Sequence, residues 1–285
     1  KVTKAAIMDS ASPATHTESH GDSPNISAAQ ANRYRQLPDF ETGIREIDEN
    51  EMQLFSEFVA RRHNISRTEL DEYAMRTHTN AIAAYQKGLF QDEILPMEVQ
   101  NNGEKRLFAK DEFIMERVNA GEFQNEPLFF VKDGIMTRLN SPPTADGAAA
   151  MLLMSESRAK KEGLTPMAEI SHTNVVGVPR ELMGLATSQS VKKILDKANM
   201  QPKDVDLWEI NETFGPQSVL IQRELRISPD QFNVKGGCIA LGHPAGCSGL
   251  RICVTLVYEM MRRDSKLAVA AGCSGAGLGQ SVILQ

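Results

Sequence analysis

The stretch from Asn233 to Gly279, NVKGGCIALGHPAGCSGLRICVTLVYEMMRRDSKLAVAAGCSGAGLG, constrains the fold more than any other part of the chain. Two glycine-framed loops flank one segment of helical period. The first loop carries His243 in GGCIALGHPAG, and the second carries Cys273 in GCSGAG. Between them Leu250, Ile252, Cys253, Leu256, Val257, Met260 and Met261 recur as a broad helical stripe. Ser248 is placed to cap the start of this helix. Arg262 and Arg263 near its end suit the negative pole of the helix dipole. LAVAA then reads as a buried strand, GCSGAG as its turn and QSVIL as the returning strand.

Glycines on both sides of a reactive side chain let backbone N–H groups approach a ligand closely. A loop of this kind meeting a helix N-terminus is a natural place for an oxyanion or a phosphate. A histidine and a cysteine brought together there can pass protons near neutral pH. Taken singly, each has a plainer reading. A cysteine in an apolar strand–turn–strand is more often a small buried hydrophobe, and a histidine in a glycine loop is often only a hydrogen-bonding residue.

The chain of 285 residues can bury a sizeable core in one or two domains. Its net charge of −6 argues against a general nucleic-acid binder, which carries a basic footprint. No run of about 18 apolar residues exists, so no membrane-spanning helix is expected. The four cysteines all follow residue 237 and lack paired CxxC spacing. Neither a zinc site nor a disulfide scaffold is expected, and a reducing compartment is. KVTKAAIMDSASPA lacks the apolar core of a signal peptide and reads as the end of a strand entering a loop.

Residues 10 to 50 are rich in Ser, Pro, Asn, Asp and Glu and hold no lasting period. EMQLFSEFVARRH then places Met52, Phe55, Val59 and Ala60 on one helical face. Ser66-Arg67-Thr68-Glu69 has the form of a capping box. The helix it opens has Leu70, Tyr73, Ala74, His78, Ala81 and Tyr85 as its inner side, with Gly88 as its stop. His78 on this helix is read as structural. Residues 100 to 126 are polar, with EFIMERVNAGEF as a short helix. TADGAAAMLLMSE reads as a turn into an apolar run, and ESRAKKEG as a charged helix. From Pro166 strands and helices alternate: MAEISHTNVVG, SQSVKKILDKANM with Val191, Ile194, Leu195 and Ala198 inward, then VDLWEIN. That alternation argues an α/β layer architecture and delivers Asn211 at a strand end.

Three elements in order, Asn211-Glu212-Thr213-Phe214, Gly242-His243-Pro244 and Cys273-Ser274-Gly275-Ala276-Gly277, resemble the closing motifs of the thiolases. That family comprises acetyl-CoA acetyltransferases and 3-ketoacyl-CoA thiolases. SRTELDEYAMRTH…AYQKGLFQDEILP resembles a thiolase helix as well. The resemblance covers the C-terminal two-thirds of the family pattern. It implies a layered α/β/α fold with a mostly helical loop domain and an incomplete first sheet. The implied division is 1–12 as the end of the N-terminal thiolase domain, 13–126 as the loop domain, 127–160 as the return to the N-terminal domain, and 161–285 as the C-terminal domain.

It also implies roles. His243, Cys273 and Asn211 are the catalytic candidates, and the Gly275 N–H belongs to an oxyanion hole. Phe214, Met52 and Ser141 would contact substrate. Coenzyme A would be a substrate, with no permanently bound cofactor and no metal. The chain departs from the pattern at two places. Pro142 and Pro143 stand where the family has a CoA-contacting serine and a glycine, and Glu51-Met52-Gln53 replaces His-Met-Gly.

The family's acyl-carrying cysteine belongs upstream of the strand resembling VTKAAIMDS, and this chain has no cysteine before Cys238. The resemblance therefore places about ninety residues, with the nucleophile, outside this sequence. The implied partners are acyl-CoA and CoA, an N-terminal thiolase piece or separate chain, and further copies in a homo- or hetero-oligomer. A non-catalytic thiolase-like assembly subunit is the alternative. The mitochondrial matrix or the cytoplasm is the expected location.

Overall fold

The computed structural model describes residues 2–8, 51–101, 103–129, 133–179 and 182–285. The loop-domain segment expected between Ser10 and Asn50 lies outside the described residues.

A four-stranded sheet carries the C-terminal half. Its strands are β5 (Ile170–Gly177), β6 (Leu207–Ile210), β7 (Ala268–Ser274) and β8 (Leu278–Leu284), in spatial order β5-β8-β7-β6. β5 with β8 and β8 with β7 are antiparallel, whereas β7 with β6 is parallel. Two long helices cover it: α5 (Met183–Ala198) and α8 (Ser248–Arg263). Alternate residues of each strand feed opposite layers, as the pleat requires. Trp208, Ile210, Val269, Ala271 and Ile283 join Val191, Ile194 and Leu195 of α5 in one core. Leu207, Ala268, Ala270 and Leu284 join Ile252, Leu256, Val257 and Met260 of α8 in the other. Each of those four α8 side chains contributes roughly 1.5–3 kcal/mol on burial, which fixes the helix against the sheet. The layered α/β/α architecture is thus the observed one.

The remaining elements pack around this half. α1 (Glu51–Arg62) and α2 (Arg67–Gln86) lie against α6 (Gly215–Leu225), and α2 also meets the short α7 (Cys238–Leu241). β1 (Val2–Met8) pairs antiparallel with β4 (Ala148–Leu153), and α8 packs on that pair. β4 runs into α4 (Glu156–Lys161), capped by Ser155.

Several local expectations need correction. Ser248 is the first residue of α8, not its cap: its hydroxyl donates to the Pro244 carbonyl at 3.0 Å instead. Met261 leaves the apolar stripe and is 57% exposed, because the stripe turns with α8 away from the sheet. On α2 the inward position is Ala84, not the half-exposed Tyr85. Ser66 does cap that helix through the Glu69 N–H, but the Glu69 carboxylate reaches across to Arg223, so the reciprocal bond of a capping box is replaced by an ion pair. EFIMERVNAGEF is helical only from Ala120, in α3 (Ala120–Asn125), where Asn119 supplies a cap. The polar residues before it form a hairpin of β2 (Met97–Asn101) and β3 (Glu104–Phe108), joined across Gly103 at φ +86°.

Candidate active site

β6 points Asn211 out of the sheet end, where its N–H still bonds the Ala271 carbonyl at 2.8 Å. The next residue holds the loop. Glu212 is fully buried and accepts four hydrogen bonds. Tyr73 Oη (2.6 Å), Thr77 Oγ1 (2.9 Å) and Asn233 Nδ2 (3.0 Å) donate to Oε1, and the Ile239 N–H (2.9 Å) donates to Oε2. This one carboxylate ties the β6 end to α2 and to α7, which leads into the loop that carries His243. Gly237 makes room for it: a Cβ there would lie 2.2 Å from Glu212 Cδ. Asn233, in the left-handed region, completes the arrangement. Its side-chain amide bonds both the N–H and the carbonyl of Ile210, standing in for a neighbouring strand.

His243 sits in the loop between α7 and α8. Its N–H donates to the Pro143 carbonyl at 2.8 Å, so the diproline turn supplies an acceptor to the histidine loop in place of the donors it lacks. The imidazole Nδ1 lies 2.8 Å from Ser248 Oγ. The Ser248 hydroxyl proton already goes to Pro244, so Nδ1 carries the proton and Nε2 keeps a lone pair. Burial, reinforced by the nearby Arg251 charge, moves the His243 pKa below its ordinary 6.5. The neutral ring is therefore the resting form at neutral pH, which suits a base.

The Asn211 amide is gripped from both ends. Cys238 Sγ donates to its Oδ1 at 3.0 Å, and its Nδ2 donates to Thr213 Oγ1 at 2.8 Å. Nδ2 has a second proton for water or ligand. Arg251 Nη2 reaches the Cys238 sulfur at 3.4 Å. Burial pushes the Cys238 thiol up, so it serves as a neutral donor.

Cys273 lies near the end of β7, with Thr213 Oγ1 at 3.5 Å and Gln217 Oε1 at 3.7 Å from its sulfur. Burial raises its pKa, and the Thr213 and Thr187 hydroxyls pull the other way. Gly275 opens the tight turn into β8.

Asn211, His243, Cys273 and Gly275 all line one cavity of about 610 Å³, together with Thr213 and Ser248. Among the described residues, no Asp, Glu, Lys or Arg lines it. The other expected contacts lie elsewhere. Phe214 is buried in the larger core, and Ser141 is buried with its hydroxyl 3.5 Å from Asn140 Oδ1. Met52 belongs to α1, and its side chain is outside the described residues. Thr213, Ser248 and Cys238 escape sequence reasoning. Each is a small residue whose hydroxyl or thiol gains meaning only from the folded geometry around it. No disulfide joins the four cysteines, and no described helix is long and apolar enough to cross a membrane.

The order of elements and the shared cavity define a thiolase-type C-terminal half. The sequence matches the family models for the thiolase C-terminal domain over residues 164–285 and the thiolase N-terminal domain over residues 15–157. The chain belongs to the thiolase family. It is 40% identical over 234 residues to 3-ketoacyl-CoA thiolase, mitochondrial, of Homo sapiens, covering 82% of this chain and 59% of that protein. It is 37% identical over 239 residues to 3-ketoacyl-CoA thiolase of Bacillus subtilis strain 168, covering 81% of this chain and 61% of that one. The crystal structure of human mitochondrial 3-ketoacyl-CoA thiolase in complex with CoA superposes with a TM-score of 0.79 at 36% identity, covering 88% of this chain and 66% of that one. The chain thus spans about three fifths of the length of the curated relatives it matches.

Proposed function

We propose that this chain is one part of a thiolase, an acyl-CoA:acetyl-CoA C-acyltransferase acting on 3-ketoacyl-CoA or acetoacetyl-CoA. The reading rests on one observation: Asn211, His243, Cys273 and the Gly275 backbone share one cavity that carries no charged side chain among the described residues. With no carboxylate among the described lining residues, a neutral imidazole and a protonated thiol can exchange protons with substrate without competition from a fixed charge.

The nucleophile comes from an N-terminal thiolase piece, on a preceding segment or a separate polypeptide. Two of the cysteines in hand do not suit the role. Cys238 is fully buried, and burial pushes Cys253 up to about 12. His243 Nε2 takes the proton of the incoming nucleophilic thiol. The thiolate adds to the 3-keto carbon, and the Cα–Cβ bond breaks with its electron pair going to Cα. Cys273 gives that carbon a proton, releasing acetyl-CoA. The CoA thiol next passes its proton to Cys273, and its sulfur attacks the acyl-enzyme thioester. The nucleophile leaves as thiolate and recovers its proton from His243. The imidazolium and a water on Asn211 Nδ2 stabilise one developing oxyanion, and the Gly275 N–H with the nucleophile's own N–H stabilises the other.

Residues 13–126 form the loop domain over CoA in this reading, and Phe214, Met52 and Ser141 act on substrate binding. Location in the mitochondrial matrix or the cytoplasm, and assembly as a homo- or hetero-oligomer, go with it. The test is a denaturing mass spectrum of the folded material followed by a thiolysis assay. A second, cysteine-containing species together with CoA-dependent thiolysis supports the proposal. A single species near 31 kDa with no thiolysis refutes it and leaves a non-catalytic assembly subunit. In the active complex His243→Ala abolishes turnover, whereas Cys273→Ser blocks condensation and leaves acyl loading partly intact.

A further inference from the structure

The Asn211 amide and the Cys273 thiol leave the sheet on opposite faces. β6 and β7 run parallel with Ile210 beside Ala271, so Asn211 falls next to Gly272, and Cys273 is one residue further along. A Cβ at Gly272 would lie 3.1 Å from Asn211 Cβ, so the Asn211 side chain occupies the Gly272 side of the pleat. Cys273 has the opposite parity and packs against the core that contains Val269 and Ala271. Regular pairing therefore does not bring the amide and the sulfur into contact.

Thr213 closes that gap. It lies in the short link between β6 and α6 and is 6% exposed. Its single Oγ1 accepts from Asn211 Nδ2 at 2.8 Å and stands 3.5 Å from Cys273 Sγ. We infer that Thr213 is a positioning residue for the acid–base cysteine, its hydroxyl holding the Asn211 amide and the Cys273 sulfur in one hydrogen-bonded register. This deepens the acyltransferase reading and rests on its assignment of Asn211 and Cys273.

A hydroxyl suits the task in both protonation states. While the thiol keeps its proton, S–H donates to Oγ1. Once the proton has gone, the threonine O–H turns to donate to the thiolate and still accepts from Asn211. A methyl group in the same place could do neither. The other groups facing Cys273 do not titrate: α5 presents Thr187, α6 presents Gln217, and β8 presents Gly279. Among the described residues, His243 and Cys253 are the other titratable groups lining the cavity. The Thr213 hydroxyl is thus a principal local stabiliser of the Cys273 anion, opposing the upward push of burial.

The test needs no turnover. Alkylation of Cys273 by iodoacetamide is followed against pH in the full chain, resolved by site with peptide mass spectrometry. Thr213→Val keeps the volume and removes the hydroxyl. It is expected to move the alkylation midpoint to higher pH and to slow the reaction below that midpoint roughly three- to tenfold, the worth of one lost hydrogen bond. Thr213→Ser restores the wild-type profile to within about twofold by keeping the same bond. Should Thr213→Val fail to fold, Thr213→Ala removes the same hydroxyl at smaller volume and carries the same expectation. An unchanged midpoint in the folded hydroxyl-free variant, or a serine variant as impaired as the valine one, overturns the inference. A shifted midpoint in a complex that shows no thiolysis sustains the positioning role and counts against the acyltransferase reading. Full thiolysis with an unshifted midpoint does the reverse.

Discussion

Glu212→Gln is the perturbation that asks most of this structure, because it changes charge and donor pattern while keeping shape. The carboxylate takes three donors on Oε1, from Tyr73, Thr77 and Asn233, and the Ile239 N–H on Oε2. A glutamine has one acceptor oxygen. If that oxygen replaces Oε1, its NH2 faces the Ile239 N–H, and a buried backbone donor in the first turn of α7 is orphaned. That costs about 1–3 kcal/mol. The three remaining bonds lose charge assistance, at roughly 1 kcal/mol each, partly offset because a neutral amide costs less to bury than a carboxylate. The opposite amide orientation sets three donors against an NH2 and is worse. The net expectation is a loss of about 2–4 kcal/mol, a large share of the roughly 5–15 kcal/mol that holds a domain folded. Urea unfolding read by fluorescence is the assay, since Trp208 is the single tryptophan and is 1% exposed. Glu224→Gln, which breaks a part-exposed pair with Lys192, is the control and should stay within about 0.5 kcal/mol. If Glu212→Gln matches that control with an unchanged denaturant slope, the hub reading is wrong.

Glu209 offers a pH test: both of its oxygens are buried without a partner, and burial, against the pull of Arg251 and Lys235, raises its pKa from 4.5 to about 8. The folded state then keeps a proton that the unfolded state releases above 4.5, so its contribution to stability is intact below that value and is lost as pH rises through about 8. Glu209→Gln should remove this slope and gain about 3 kcal/mol at pH 7 relative to acid, from a difference of roughly 2.5 pH units at about 1.4 kcal/mol each; parallel stability–pH curves for the two proteins would sink the idea. Lys235 and Glu93 form an ion pair at 2.9 Å with both side chains 1% exposed, so Lys235→Met should cost about 3–5 kcal/mol by stranding the carboxylate. Adding Glu93→Met should recover most of that loss, and a double variant no better than the single one argues against the pair. For His243, an NMR titration should place the imidazole midpoint below 6.5 with the proton on Nδ1, and Ser248→Ala should release that tautomer. A midpoint above 6.5, or the Nε2 tautomer at rest, would contradict the site's wiring.

Much of the architecture was legible in the chain because its signals are local. The short apolar runs of LAVAA and QSVIL about the GCSGAG turn, and the helical stripe of SQSVKKILDKANM and SGLRICVTLVYEM, each specify an element from neighbouring residues alone. Where another partner or conformation competed, local reading failed. Glu69 left its capping box for Arg223, Ser248 left the helix cap for Pro244 and His243, and only the Ala120 end of EFIMERVNAGEF stayed helical. The site divides in the same way. Asn211, His243, Cys273 and Gly275 stood out because glycine-framed loops and strand ends mark them in the sequence.

Sequence neighbours of these marked residues hold them in place, through partners that the sequence does not show. Thr213, Cys238 and Glu212 act through partners up to 139 residues away, as in the Tyr73–Glu212 bond. The sequence by itself determined which chemical groups are present and which local elements carry them, since period, turns and glycine spacing act over a few residues. Only the tertiary structure decided that these groups share one cavity without charged side chains among the described residues, that Nδ1 of His243 is the protonated nitrogen, and that one threonine hydroxyl joins an amide and a thiol on opposite faces of a sheet. Those facts depend on angles and distances between segments that no stretch of sequence contains.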